Sequence, residues 1–196
     1  MSNILVMGGA GYIGSHTVRH LLDNGYNVIV ADNLIYGHKE AVDERAKFVH
    51  ADLLDPYSLE QLFKNNTIDA VVHFAAFTAV GESVVDPERY YYNNVMGTVN
   101  LLRAMLAHNV KKIVFSSTCA TYGEPQYIPI DEKHPQAPIN PYGRTKLMIE
   151  QIFDDYERAY GLRDILLFVI LMLLDVPQME KLGKVIRQKH ILFRWC

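Results

Sequence analysis

The sequence predicts an α/β fold with a doubly wound parallel sheet. Three observations carry this prediction: short apolar runs alternate with amphipathic helical stretches, spaced glycines separate the first apolar run from the first helix, and the second apolar run ends in an acidic residue. Continuous apolar runs are typical of strands buried on both faces, and strand–helix alternation favours parallel pairing. The chain has 196 residues, of which 49% are hydrophobic, and this is enough apolar material for one such core.

A strand–helix–strand unit is predicted at the N-terminal end. The apolar run Ile4 to Met7 is followed by a helical stretch from Tyr12 to Asn24, and Gly25 is a typical residue after a helix end. The next apolar run, Val28 to Ala31, predicts the second strand, and Asp32 comes directly after it.

The remaining elements continue the alternation as far as residue 160. The stretch from Gly123 to Pro141 carries five prolines and is interpreted as one ordered active-site loop. The other predicted elements are strands at Phe48 to Ala51, Ala70 to Phe74 and Lys112 to Phe115, and helices from about Pro56 to Asn65, Pro87 to His108 and Pro141 to Tyr160.

The first strand is followed by glycines at positions 8, 11 and 14, in the pattern G-x-x-G-x-x-G. Glycine permits a tight turn and a close approach of a pyrophosphate, and the N-terminus of the next helix offers free N–H groups to that anion. Such a cluster alone also fits an ordinary turn. With a strand before it and Asp32 at the tip of the second strand, it favours a dinucleotide site in a Rossmann-type fold. Because a carboxylate there binds ribose hydroxyls and repels the extra phosphate of NADP, the predicted cofactor is NAD.

Two further groups predict catalysis. Ser116 to Thr118 follow a strand at its carboxyl end, where open α/β sheets bind ligands. Tyr142 and Lys146 share one helix face, so the ammonium is expected to lower the phenol pKa from about 10 towards neutrality. A phenolate beside a nicotinamide is a base suited to remove a hydroxyl proton as hydride leaves the same carbon. Taken alone, either group also occurs by chance on many strands and helices.

Composition excludes several other classes of protein. The net charge of −3 indicates neither a nucleic-acid partner nor an acidic membrane, and no metal site is predicted. Two cysteines, Cys119 and Cys196, make no disulfide framework, and no secretory signal precedes the first strand, so a cytoplasmic location is expected. Cys119 is interpreted as a packed residue rather than a nucleophile. The apolar segment Ile165 to Leu174 is half of the roughly 20 residues that a membrane span requires.

Together the motifs resemble the extended short-chain dehydrogenase/reductases, and three further segments resemble the UDP-glucose 4-epimerase branch of that family. The resemblance extends from residue 1 to about residue 163. The family motifs are Gly8 to Gly14, Asp32 to Leu34, Asp52, His73 to Ala76, Ser116 to Thr118 and Tyr142 to Lys146; the branch segments are Ala79 to Ser83, Tyr91 to Val95 and Thr121 to Pro125.

The resemblance implies a role for each matching residue. Lys146 would hold the nicotinamide ribose and tune Tyr142, and Thr118 would hydrogen-bond the sugar hydroxyl. Position 78 carries threonine where some members of the family have lysine, and this weakens the assignment of Thr78 as a cofactor contact. The implied cofactor contacts are Gly8, Gly11, Tyr12, Ile13 and Gly14 at the pyrophosphate, Asp32 and Asn33 at the adenosine ribose, Asp52 and Leu53 at the adenine, and Phe74, Ala75, Ala76, Thr78 and Asn93 along the cofactor.

The implied activity is the interconversion of UDP-galactose and UDP-glucose. Tyr142 would take the 4-hydroxyl proton while hydride passes to NAD, and the 4-keto sugar would turn before both return. The resemblance also implies a homodimer through the helices near residues 87–108 and 141–160. The 4,6-dehydratases of the family place an acidic pair after the threonine, where this chain has Cys119 and Ala120, so epimerisation is favoured over elimination of water. Another nucleotide-sugar epimerase or dehydratase of the family stays open.

From about residue 164 the chain departs from the family pattern, which continues with Arg-Tyr-Phe-Asn-Ala-Ala-Gly and a substrate domain. Codons can be chosen for Phe168 to Asp175 that encode this heptapeptide when they are read in a shifted frame, starting at the last base of the Phe168 codon. In the same shifted frame, His190 to Cys196 also becomes a family-like segment. The interpretation is a frameshift that truncates the substrate domain, where most uridine contacts of the family lie.

The predicted organisation is therefore an NAD-binding Rossmann domain at residues 1–163, with the catalytic Thr, Tyr and Lys, and an aberrant tail at residues 164–196. In the tail, Ile165 to Leu174 is a possible strand, and the rest is expected to be poorly ordered or loosely helical, with Trp195 near the exposed end. Weak or absent epimerase activity is expected of such a chain. A non-catalytic NAD-binding fragment, or a pseudogene product, is the alternative.

Overall fold

A computed structural model describes residues 1–131, 133–162, 165–171 and 191–195. These residues form one parallel sheet of seven strands in the order β3-β2-β1-β4-β5-β6-β7. The predicted doubly wound α/β fold is thus confirmed. The strands are β1 (Asn3–Met7), β2 (Asn27–Asp32), β3 (Lys47–His50), β4 (Ala70–His73), β5 (Ile113–Thr118), β6 (Ile165–Leu171) and β7 (Ile191–Trp195).

The helices lie between the strands, as the alternation in the sequence predicts. The longest of them begins after Asn140, whose side-chain oxygen accepts a hydrogen bond from the Gly143 amide, and ends at Gly161 in the left-handed conformation. The α-helices are α1 (Tyr12–Asp23), α2 (Pro56–Lys64), α3 (Val80–Val85), α4 (Pro87–Tyr90), α5 (Gly97–Ala107) and α6 (Pro141–Tyr160); a π-helical turn spans Tyr91–Met96, and single 3-10 turns span Lys39–Ala41 and Cys119–Thr121.

Alternate residues of the central strands face two separate apolar cores. Leu5 and Met7 of β1 pack in the larger core, which α2, α5 and α6 cover. Ile4 and Val6 face the other way and pack with Val18 of α1. The sheet is therefore covered on both faces, and the loops at the carboxyl ends of its strands remain free to form a site.

The helix predicted from about Pro87 to His108 is confirmed as one continuous helical stretch, in which the π-helical turn joins α4 to α5, and α3 precedes it as a separate helix. Asp86 separates α3 from α4: it precedes a proline, which disfavours helical backbone, and its carboxylate caps α4 by accepting from the Arg89 amide. β5 also extends through Thr118, so Ser116 to Thr118 lie within the strand and not after it.

The C-terminal part differs from the expectation in one respect. The possible strand within Ile165 to Leu174 is present as β6, which pairs with β5 from Ile165 to Ile170. The sequence predicts a poorly ordered or loosely helical tail, whereas the structure pairs Ile191–Trp195 with β6 as a parallel strand. The rest of that prediction concerns residues 172–190 and 196, which lie outside the described residues. Within the part described, no helix combines the length and the apolar character that crossing a membrane requires.

Candidate active site

The loop between β1 and α1 forms a cradle that only glycine fits at two positions. Gly8 has φ +78°, and a Cβ there would lie 2.6 Å from the Ala75 amide nitrogen. A Cβ on Gly14 would overlap the Gly8 carbonyl oxygen. Gly11 differs, since its added Cβ would make an ordinary contact of 3.4 Å. No side chain caps the N-terminus of α1, which leaves its first-turn amides available to an anion.

Asp32 ties this cradle to the end of β2. Its side chain is buried, with one carboxylate oxygen accepting from the Ala10 amide at 3.0 Å and the other from the Leu34 amide at 2.9 Å. A Cβ on Gly37 would lie 2.7 Å from that carboxylate, so the loop after β2 passes directly beside it. The carboxylate therefore has a fixed position at the cleft wall.

The structure brings nine of the predicted cofactor residues together around one cleft at the carboxyl ends of β1, β2 and β4. Sequence reasoning missed further lining residues, although the Tyr-Gly turn shortly after Asp32 was a usable signal. The predicted residues that line the cleft are Gly8, Gly11, Asp32, Asn33, Leu53, Phe74, Ala75, Ala76 and Asn93; the missed ones are Met7, Ala31, Ile35, Tyr36, Gly37, Ala51 and Phe77.

The other predicted cofactor residues lie outside the lining. Tyr12 is 81% exposed and packs its ring edge on His16, and Thr78 is exposed as well. Asp52 binds Asn33, which does line the cleft: the Asn33 side-chain amide donates to the Asp52 carboxylate at 3.0 Å. The remaining three are Ile13 and Gly14, at the start of α1, and Lys146, on α6.

Tyr142, Thr118 and Lys146 lie buried where α6 crosses the end of β5. The Lys146 ammonium donates to the Ser116 carbonyl oxygen at 2.9 Å and lies 6.0 Å from the centre of the Tyr142 ring. Burial lowers the pKa of Lys146 to about 7, against the opposing effect of Glu150. Burial raises the pKa of Tyr142, and the hydrogen bond with Thr118 acts in the opposite direction. The structure thus corrects the expectation that Lys146 lowers the pKa of Tyr142: the ammonium is directed to β5, and desolvation dominates at the phenol.

Asn94, which was not among the predicted site residues, connects the cleft to α6. Its side chain accepts from the Phe77 amide at 2.8 Å and donates to the Phe77 carbonyl at 3.0 Å. It also donates to the Thr145 hydroxyl at 3.3 Å, and Phe77 shares one apolar cluster with Tyr90 and Tyr142. The π-helical turn buries Asn93 and Asn94 side by side, so one lines the cleft while the other holds its wall.

The residues behind the catalytic group also form hydrogen bonds. The Tyr142 amide, one of the otherwise unpaired amides in the first turn of α6, donates to the Ser83 hydroxyl at 3.2 Å. Ser117 donates to Glu150, which also accepts from Gln136 of the proline-rich loop at 2.8 Å. That loop is therefore joined to α6.

His73 lies behind Lys146 as a neutral side chain. Burial lowers its pKa to about 3, with the charge of Lys146 as the second cause. The Thr98 hydroxyl has a single hydrogen, which it donates to the Asn94 carbonyl. In the hydrogen bond of 3.0 Å between Thr98 and His73, the imidazole Nε2–H is therefore the donor and the hydroxyl oxygen the acceptor. A neutral imidazole adds no positive charge beside the buried ammonium.

Comparisons with known proteins agree with this geometry. A model described as "NAD dependent epimerase/dehydratase family" matches residues 4–177. A UDP-glucose 4-epimerase of Lacticaseibacillus casei is 55% identical over 160 residues, which are 82% of this chain and 48% of that relative. The chain thus spans about half the length of the curated relatives it matches.

Two solved structures are similar in fold and sequence. UDP-glucose 4-epimerase from Brucella ovis in complex with NAD has a TM-score of 0.83 and 49% identity, covering 86% of this chain and 51% of that one. The enzyme from Bifidobacterium longum in complex with NAD+ and UDP also has a TM-score of 0.83, with 42% identity over 86% of this chain and 52% of that one.

Proposed function

The chain belongs to the NAD dependent epimerase/dehydratase family, and we propose that it supplies the NAD-binding and proton-transfer part of a UDP-glucose 4-epimerase. One observation carries the proposal: a glycine cradle beside a buried Asp32 continues, through Phe77 and Asn94, to the buried Tyr142. The cradle fits a pyrophosphate because a Cβ at Gly8 or Gly14 would fill it.

The residues of the chain have separate tasks in the proposed reaction, and bound NAD supplies the hydride acceptor. Tyr142 removes the proton from the sugar 4-hydroxyl, and the Thr118 hydroxyl orients that oxygen. Lys146 holds the nicotinamide ribose and is itself fixed by the Ser116 carbonyl. When the 4-keto sugar has turned, carbon 4 would regain hydride on its opposite face, and Tyr142 returns the proton to the 4-oxygen. The substrate is a UDP-sugar, in keeping with the name of the Lacticaseibacillus casei relative.

The residues after Thr118 favour epimerisation over elimination of water. Elimination requires a general acid beside the sugar, and Thr118 leads into the turn Cys119–Thr121, which carries no acidic side chain. The chemistry, with NAD and a nucleotide-activated sugar, fits a cytoplasmic location.

Cofactor preference tests the proposal directly. We expect NAD to bind at least about 100-fold more tightly than NADP, because a 2′-phosphate beside the buried Asp32 brings two negative charges together. Titration of the purified chain with each nucleotide, followed by an assay with UDP-galactose, makes the measurement. Asp32→Ser should reduce the preference, whereas Asp69→Ser, at the far end of the strands, should leave it unchanged. Equal affinity for NADP contradicts the role of Asp32, and NAD binding without turnover favours a non-catalytic NAD-binding protein.

The proposal includes a homodimer formed through the helices near residues 87–108 and 141–160, which are α4, the π-helical turn, α5 and α6. Large apolar side chains are exposed nearby: Tyr92 and Met96 on the turn and Met148 on α6. We expect light scattering at tens of micromolar to give the mass of two chains, and Tyr92→Glu with Met96→Glu to give one. Tyr57→Glu, at a more exposed tyrosine on α2, is the control. A monomeric parent chain contradicts the proposed assembly.

A further inference from the structure

Two walls of the cofactor cleft meet in an aromatic contact. Tyr36 lies in the loop after β2, and Phe77 lies in the loop after β4; both line the cleft. The Tyr36 ring packs its edge against Phe77, with ring centres 5.5 Å apart and planes at 84°. No sheet pairing joins these two loops directly, so this contact spans the mouth of the cleft.

Arg89 of α4 binds both aromatic side chains from outside. Its guanidinium donates to the Tyr36 hydroxyl at 3.1 Å, and the guanidinium carbon lies 4.3 Å from the centre of the Phe77 ring. A guanidinium over an aromatic face is attracted by the ring quadrupole. We call Tyr36, Phe77 and Arg89 the Arg89 bridge.

Glu82 of α3 holds the guanidinium in place. It accepts from Arg89 through one carboxylate oxygen and from the Tyr90 hydroxyl through the other, at 2.7 Å. The amide of Arg89 is bound by Asp86 at 3.3 Å. Glu82 therefore holds the side chain of Arg89 and Asp86 holds its backbone, although the side chain is 38% exposed.

The two walls are anchored in different ways. Asn94 fixes Phe77 through both its amide and its carbonyl. The Tyr36 loop is held on either side of its tip, where the Leu34 amide binds Asp32 and the His38 amide binds the Ala10 carbonyl. Between these anchors the Ile35 amide donates to the Asn33 side chain at 3.1 Å, and the Tyr36 side chain is held against Phe77 by the Arg89 bridge.

We infer that Arg89 is a positioning residue for cofactor retention: it holds Tyr36 against Phe77 across the cleft and slows the release of NAD. This inference rests on the proposed binding of NAD. The bridge must open for the dinucleotide to leave, so its interactions are lost on the path to release and contribute to the dissociation barrier. The same bridge must open for the dinucleotide to enter, so loss of the bridge is expected to raise both rates.

The dissociation rate of NADH, chased with excess NAD and followed by nicotinamide fluorescence, tests the inference. Arg89→Ala should release NADH about tenfold faster, and Tyr36→Phe, which keeps the ring and removes only the hydroxyl, about threefold faster. The double variant should exceed Arg89→Ala by less than about twofold, because both changes break one contact. Arg45→Ala is the control, since Arg45 is similarly exposed and ion-paired but lies at the opposite ends of the strands.

Each outcome bears on the inference. Unchanged release from both Arg89→Ala and Tyr36→Phe overturns it while the proposed function stands. Faster release from Arg89→Ala alone, accompanied by lower stability of the free protein to urea, assigns Arg89 a merely structural role and overturns it too. If Arg89→Ala does not fold, Tyr36→Phe decides alone. A parent chain that binds no NADH overturns both the inference and the proposed function.

Discussion

Replacement of Gly14 by alanine is expected to weaken NAD binding at least about 100-fold, through overpacking of the cradle. The new Cβ would overlap the Gly8 carbonyl oxygen and lie 2.7 Å from the Gly9 Cα. Gly8 cannot move aside, because its amide donates to the Ala31 carbonyl and its own Cα faces the Ala75 backbone. The added methyl group must therefore displace α1, and with it the first-turn amides that would bind the pyrophosphate.

Two matched substitutions isolate this effect. Gly11→Ala should weaken binding by less than about fivefold, because its Cβ makes only an ordinary contact with the Gly8 oxygen. Gly81→Ala should change nothing, since an added Cβ there meets no atom within 4 Å. Fluorescence titration with NADH gives the affinities, and circular dichroism shows whether each variant is folded. Equal losses at Gly14 and Gly11 would contradict the steric account of the cradle.

Much of the fold and of the cleft could be predicted from the sequence because the relevant signals are local. The spacing of Gly8, Gly11 and Gly14 between a strand and a helix, and the position of Asp32 after the next strand, each depend on a few neighbouring residues. Parallel strands then bring their carboxyl ends to one edge of the sheet. Those two facts together place the cleft without any long-range information.

What the sequence did not predict depends on contacts between distant segments. Asn94 binds Phe77 and Thr145, which are 17 and 51 residues away. The π-helical turn that allows this leaves no mark on hydrophobic periodicity. The pKa of Tyr142 could not be predicted either: the spacing to Lys146 shows that they share a helix face, but not that the ammonium binds Ser116 instead. β7 pairs with a strand 20 or more residues earlier, a pairing that apolar content alone does not specify.

Replacement of Tyr142 by phenylalanine is expected to lower epimerisation at least about 1,000-fold while changing NAD affinity by less than about twofold. The phenol is the proton acceptor in the proposed reaction, and phenylalanine keeps the ring in the apolar cluster with Phe77 and Tyr90. Since the chain spans about half the length of its relatives, turnover is measured in a chimera that joins residues 1–162 to the second half of the Lacticaseibacillus casei relative. UDP-galactose is the substrate.

Lys146→Ala separates the base from its neighbour. Lys146 is buried and bound to the Ser116 carbonyl, and in the proposal it also holds the nicotinamide ribose. Its loss should therefore reduce both turnover and NAD affinity, whereas Tyr142→Phe reduces turnover alone. Tyr160→Phe, an exposed phenol at the end of the same helix, should reduce neither. If Tyr142→Phe kept near-full turnover, another group would have to accept the proton.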